Sequence, residues 1–166
     1  MIEIKDKKNC VGCTACAEIC PKKCIQMKPD EEGFLYPVVD KSRCVECNAC
    51  NTVCPIQSPV DEKEKLQKAY LVQHCDEKVR LDSSAGGAFT AIATVVLQKG
   101  GVVFGAAYDE NFHVQHTYIE AVDELKKFRN SKYVQSELGD AFCLVKSFLQ
   151  KGRWVCFSGT PCQIEG

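Results

Sequence analysis

The sequence predicts an α+β protein in two parts: a cysteine-rich N-terminal domain over residues 1–58, a linker over 59–68, and an incomplete α/β domain over 69–166. Three observations lead there. Eight of the thirteen cysteines fall into two copies of one spacing, thirty-four residues apart. The stretch Gln57-Ser58-Pro59-Val60, followed by the charge-rich Asp61-Glu62-Lys63-Glu64-Lys65, is polar and carries a proline, as linkers do. Beyond it, short apolar runs alternate with amphipathic ones in strand and helix order.

Cys10, Cys13, Cys16 and Cys20 precede Pro21; Cys44, Cys47, Cys50 and Cys54 precede Pro55. Each set reads C-x2-C-x2-C-x3-C-P, the run of bacterial ferredoxins with two [4Fe–4S] clusters. A cubane needs four thiolates converging from different directions. Cysteines at two-residue gaps wrap three corners of the cube in one tight loop, and the fourth cysteine points away to the neighbouring cluster. Cys10, Cys13, Cys16 and Cys54 are therefore expected to hold one cluster, and Cys44, Cys47, Cys50 and Cys20 the other. The proline after each fourth cysteine fixes φ and turns the chain away. A zinc site needs one C-x2-C pair and a second pair farther on, and gives no role to the third cysteine of each loop. The first part is thus read as a bacterial-type dicluster ferredoxin domain carrying electrons.

The segment is an internal duplication: Asp6-Lys7 through Pro21 align with Asp40-Lys41 through Pro55, sharing Val11/Val45 and Ala15/Ala49. Short helical turns are expected after Cys16 and Cys50. Between the copies, Ile25-Gln26-Met27 and Tyr36-Pro37-Val38-Val39 flank Asp30-Glu31-Glu32-Gly33 and read as a hairpin. A domain this small has little core, so metal ligation must supply much of its folding free energy.

No apolar run reaches the roughly eighteen residues a membrane span needs. The polar start Met1-Ile-Glu-Ile-Lys-Asp-Lys-Lys does not read as a signal peptide. Thirteen cysteines without such a signal point to metal in a reducing, cytoplasmic setting rather than to disulfides. A net charge of −1 with no basic block gives no footprint for nucleic acid. Near-neutrality favours a cluster domain wired to a redox partner, subunit or neighbouring domain over a strongly acidic, freely diffusing carrier.

In the second part, Ala69–Gln73 reads as a strand and Ala88–Gln98 as an apolar helix ending at Gly100-Gly101. Gly101–Tyr108 and Val114–Ile119 read as strands and Ala121–Arg129 as a short helix. Glu137–Lys151 reads as a longer helix with Ala141, Leu144, Val145, Phe148 and Leu149 on one face, and Arg153–Phe157 as a buried strand. Three polar, glycine- or serine-bearing turns punctuate this half: Leu81–Thr90, Phe128–Ser136 and Phe157–Gln163. In the first, Ser83 or Ser84 is placed to cap the apolar helix, and Gly86 and Gly87 to let a ligand approach bare amides at its N-terminus.

Taken together and in order, four stretches carry a resemblance: R-L-D-S-S-A-G-G-A-F-T (80–90), G-G-V-V-F-G-A-A-Y-D (100–109), F-R-N-S-K-Y-V-Q-S (128–136) and F-S-G-T-P-C-Q (157–163). The chain resembles the coenzyme F420 hydrogenase/dehydrogenase beta-subunit family, many of whose members carry a two-cluster ferredoxin segment in front. The resemblance implies a flavin, FAD or FMN, exchanging electrons with the clusters in an iron–sulfur flavin oxidoreductase, with the deazaflavin F420 as outside partner in archaeal members. It directs attention to Ser83, Ser84, Gly86, Gly87, Ser131, Lys132, Tyr133, Ser158, Gly159, Thr160 and Cys162 as cofactor-binding positions; no catalytic residue is assigned. Asn130 stands where the family usually has glycine, and Ala85 where a third serine is common. The family continues past Cys162 into a helix and a further long region, whereas four residues follow here and are too few to sustain a helix, so the chain reads as C-terminally truncated. An alternative is an electron-carrier or docking module without catalysis of its own.

Among the remaining residues, Cys75, Cys143 and Cys156 are expected in the core, Cys24 in a structural role, and His116 as an exposed side chain on an alternating strand. His74 and His113 show no ligand spacing.

Overall fold

The computed structural model describes residues 1–59 and 68–166. The expected linker lies outside the described residues except for Pro59 and Lys68. Among the described residues the chain divides into two compact units: 1–59 together with 159–166, and 68–158. The sequence-based division put 159–166 with the second part.

In the first unit, β1 (Ile25–Pro29) pairs antiparallel with β2 (Leu35–Val39), Ile25 opposite Val39. The Asp30 carboxylate closes the turn by accepting the amides of Glu32 (3.0 Å) and Phe34 (3.1 Å), and Gly33 takes φ 88°. Two helical turns, α1 (Ala15–Glu18) and α2 (Ala49–Thr52), start one residue before Cys16 and Cys50 rather than after them. The buried core consists of Ile2 and Ile25 together with Cys16, Cys20, Cys24 and Cys50. A last turn, α6 (Pro161–Glu165), belongs to this unit. The expectation that so few residues form no helix is corrected here. Thr160 and Gln163 make a reciprocal capping box, and Pro161 occupies the first turn, so the end is stabilised locally.

The second unit is built on β3 (Val102–Tyr108), whose Val102, Val103 and Phe104 are fully buried. β4 (Val114–Ile119) pairs with it antiparallel and β5 (Val155–Phe157) parallel, in the order β4-β3-β5. Alternation along β3 serves two layers. After the short helix α3 (Glu77–Leu81) comes α4 (Ala88–Gln98); Val103 and Ala107 pack against its Ala93 and Leu97 and against Leu125 and Phe128 of a 3₁₀ segment (Val122–Phe128). Val102 and Phe104 pack against Leu138 and α5 (Ala141–Gln150) on the opposite face. A Cβ at Gly105 would lie 2.9 Å from the Phe128 ring, so only glycine lets that segment sit so close to the sheet.

Three expected elements differ. Ala69–Gln73 forms no strand; Tyr70 and Leu71 are exposed, and its path is held by His74 N–H donating to Gly86 O (2.6 Å). The segment 121–129 winds as 3₁₀ rather than α-helix. The helix expected from Glu137 begins at Ala141, because Glu137 bridges β4: its amide donates to Val114 O (2.9 Å), and its carbonyl accepts from His116 N (2.7 Å). No helix among the described residues is long and apolar enough to cross a membrane.

Phe104 touches the rings of Tyr118, Phe148 and Phe157 and is fully buried. Phe104→Ala should lower the stability of this unit by about 3–5 kcal/mol, read from denaturant unfolding monitored at Trp154, the single tryptophan.

Candidate metal centres and motif turns

Two hollows lie in the first unit. One is lined by Cys10, Cys13, Cys16 and Cys54, the other by Cys20, Cys44, Cys47 and Cys50. Each ring takes three thiols from one loop and the fourth from the other copy. Apolar side chains fill the gaps between thiols, among them Ile2, Ile4 and Met27 in the first hollow and Ile25 and Val39 in the second.

The loops hold these thiols by an uncommon backbone. Gly12 and Thr14 have φ of 63°, and their counterparts Glu46 and Asn48 have φ of 53° and 62°. Left-handed conformation costs about 1–2 kcal/mol per non-glycine residue. Alternating right- and left-handed residues make a nest of amides that binds anions, a device used at iron–sulfur sites. The paired left-handed residues of the two loops suit such a nest. Thr14 Oγ1 is buried among the thiols of the first ring without a hydrogen-bond partner. Buried hydroxyls are normally satisfied, so this one fits a bound acceptor. Among the described residues no three Cys, His, Asp or Glu side chains converge closely enough to hold a single metal ion.

Electrostatics agree with a site that is completed by metal. Burial pushes the Cys13 thiol above its ordinary value, and burial with neighbouring thiols pushes Cys16 up to about 12. Without metal these thiols hold their protons, so loading must release them. Burial also opposes ionisation of Cys20, but hydrogen bonds from Cys24 and from the amides of Lys22 and Lys23 outweigh it and hold that thiol below its ordinary value. Ile2 N–H donates to Cys50 Sγ at 3.1 Å.

Two thiols outside the eight sit beside the rings. Cys24 lines the second hollow, 3.4 Å from Cys20 Sγ. Cys162, on α6, acts on Cys13 electrostatically ahead of Cys54 and Cys10, and a side chain at Gly166 would begin 3.8 Å from Cys13 Sγ. Cys75 and Cys143 are exposed, contrary to their expected core placement, because the Ala69–Gln73 strand that would have covered Cys75 does not form and Cys143 lies on the outer side of α5. Cys156 packs against the sheet core as expected.

The motif turns of the second unit draw together in part. Ser84 Oγ donates to Asn130 Oδ1 (2.7 Å), and Arg129 pairs with Asp82 (3.3 Å), joining the first turn to the second. Neither serine caps α4: Ser83 Oγ donates to Val79 O (2.6 Å), Ser84 is taken by Asn130, and the N-cap is Gly87 at φ 81°. A Cβ at Gly86 would collide with Val72 O, and one at Gly87 would lie 3.0 Å from His74 Cβ. The passing chain 72–74 therefore accounts for both glycines. Lys132 Nζ donates to Lys127 O (3.1 Å) and Arg129 O (3.0 Å), and burial pulls its pKa down. Ser131 is exposed and Tyr133 is 96 % exposed. Ser158 ends the second unit, whereas Gly159, Thr160 and Cys162 belong to the first.

His116 is a correction. It is 8 % exposed and stacks on Phe157 with ring centroids 5.1 Å apart. The Ser158 carbonyl can only accept, so His116 Nε2 carries the proton and donates to it (3.0 Å); Nδ1 then accepts from Ser136 Oγ (2.8 Å). The histidine ties the end of the second turn to the start of the third. Strand alternation missed it because β4 is covered on that side by the 136–138 segment and β5. No local sequence signal marks it, because its partners Ser136 and Ser158 lie far along the chain.

Residues 9–58 match the family model described as a 4Fe-4S dicluster domain. This part of the chain is a ferredoxin-like iron–sulfur domain with two [4Fe–4S] clusters, and its role is electron transfer. A search of curated proteins gave no match.

Cys54→Ala removes a thiol from the first ring only. Iron and acid-labile sulfide should fall from about eight of each to about four, with the remaining EPR signal that of an isolated cluster. Burial lowers the pKa of His116 from 6.5, so it is neutral in the fold while the unfolded chain takes up a proton below that value. Its contribution to stability is complete above pH 6.5 and declines as pH falls. His116→Gln should flatten the drop in denaturation midpoint between neutral and mildly acid pH.

Proposed function

We propose that this chain is the iron–sulfur module of a flavin-linked oxidoreductase, passing electrons between two [4Fe–4S] clusters and a flavin. The observation that carries the cluster half is the ring of four thiols around each of two hollows, drawn three from one copy and one from the other. It supports ligation of one cluster by Cys10, Cys13, Cys16 and Cys54, and of the other by Cys20, Cys44, Cys47 and Cys50. Bound clusters supply reversible one-electron storage. The cysteines give up their protons to ligate, the left-handed loop residues shape the turns that carry them, and Thr14 offers its hydroxyl to the first site. Ile2, Ile25 and their neighbours exclude water between them.

The flavin half rests on the order of the three motif turns and on the side chains that join them, Ser84 to Asn130 and His116 to Ser136 and Ser158. A flavin holds one or two electrons, which suits it to pair those that arrive singly. F420 or another two-electron carrier would be the outside partner. The second reading, an electron-carrier or docking module, is favoured by Gly86 and Gly87, whose lack of side chains is explained by the 72–74 chain rather than by a ligand.

Anaerobically prepared protein should hold about eight iron and eight sulfide. Titrated with FAD and then FMN, it should quench the fluorescence of one of them, and the reduced clusters should bleach that flavin. If neither flavin binds while iron and sulfide are complete, the carrier reading replaces the flavin-linked one. Stoichiometric zinc without sulfide would end both.

A further inference from the structure

The two half-sites are copies, and where they differ they make the two hollows unequal; this inference rests on the cluster reading above. Cys24 lies four residues after Cys20 and is 4 % exposed. Its Sγ is 3.4 Å and its amide nitrogen 3.5 Å from Cys20 Sγ. Once Cys20 is a ligating thiolate it can only accept, so both groups of residue 24 donate to it. Ser58 holds the corresponding place after Cys54. It is exposed, and its amide donates to the Cys54 carbonyl (2.8 Å) rather than to sulfur.

The second ring has a further donor from outside its loop, the Ile2 amide on Cys50 Sγ. The amides acting on the first ring, from Ala15 to Cys13 and from Ala17 to Cys16, come from the loop's own turn. The rings also differ in contact with water: Cys47 of the second ring is exposed where its counterpart Cys13 is buried, whereas the fourth thiols run the other way by a smaller step, Cys54 of the first ring being half-buried and Cys20 of the second buried. Hydrogen bonds to ligating sulfurs and exposure to water both stabilise the negative charge added on reduction, and both are established levers on cluster potential. Here the added hydrogen bonds favour the second ring, and the largest difference in exposure, Cys47 against Cys13, favours it too.

We propose that the second cluster, ringed by Cys20, Cys44, Cys47 and Cys50, has the higher reduction potential, and that Cys24 is the positioning residue that sets it apart. Electrons entering the pair then run from the first cluster to the second. One electron leaves the first as the second gains it, and no bond or proton changes hands.

An anaerobic redox titration of the whole protein followed by EPR should resolve two steps. Cys24→Ala should lower the upper step and leave the lower one in place, with about eight iron and eight sulfide retained. Cys24→Val, which fills the space without a donor, should do the same, so loss of iron in the alanine variant leaves the question decidable. Cys24→Ser keeps a donor and should return the upper step towards that of the unaltered protein. Ser58→Ala should move neither. An upper step that neither Cys24 variant moves, a lower step that moves instead, or a single step in the unaltered protein overturns the proposal. None of these outcomes touches the cluster reading, which fails only if the unaltered protein lacks the iron and sulfide.

Discussion

The N-terminal unit depends on thiols turned inward. Its buried core has two isoleucines, Ile2 and Ile25, and four cysteines, Cys16, Cys20, Cys24 and Cys50. A segment this short cannot bury enough apolar surface to offset the conformational entropy of ordering it. It also spends free energy on left-handed residues at Thr14, Glu46 and Asn48. Those costs become intelligible when the same loops bind anionic clusters, because ligation and folding are then one equilibrium. The hairpin of β1 and β2 and the turn at Asp30 join the two copies rather than form a core that stands without metal.

The second unit uses the opposite strategy. β3 is buried on both faces, so its side chains alternate between two apolar layers, and the sheet needs only three strands. This is why its strands were legible in the sequence: β3 reads as an apolar run, and β4 alternates. α4 matched its expected bounds, Ala88–Gln98, because Gly87 at one end and Gly100 at the other mark the chain in backbone terms. The three thiols that each loop brings to one hollow follow from spacing within the loop, whereas the fourth is drawn from the other copy and depends on how the two copies pack.

What the sequence hid was long-range. Ala69–Gln73 has strand composition but no partner edge, and tertiary pairing decides strands more than propensity does. The start of the helix expected from Glu137 was captured by β4, and 3₁₀ winding replaced the helix over 122–128. His116 looked exposed on alternation alone because the covering elements lie far along the chain, at Ser136 and Ser158. Gly86 and Gly87 looked like ligand glycines, yet the contact that requires them is with residues 72–74. A glycine pattern states that something approaches closely; it does not state whether that is a ligand or the chain itself.

The duplication separates what the backbone must do from what side chains are free to do. Gly12 and Glu46 differ in size and charge, and Thr14 carries a hydroxyl where Asn48 carries an amide, yet each pair keeps nearly the same φ. Wrapping three corners of a cluster is thus a backbone task, and it fixes the cysteine spacing in both copies. Positions just outside the loop carry no such constraint. There the copies diverged, to a buried cysteine at 24 and an exposed serine at 58, and the surroundings of the fourth ligand diverged with them. Loops of one backbone shape give two sites suited to the same cofactor. The residues flanking those loops are where two such sites acquire different hydrogen bonding and different access to water, and a relay made of two equal stations would have no preferred direction.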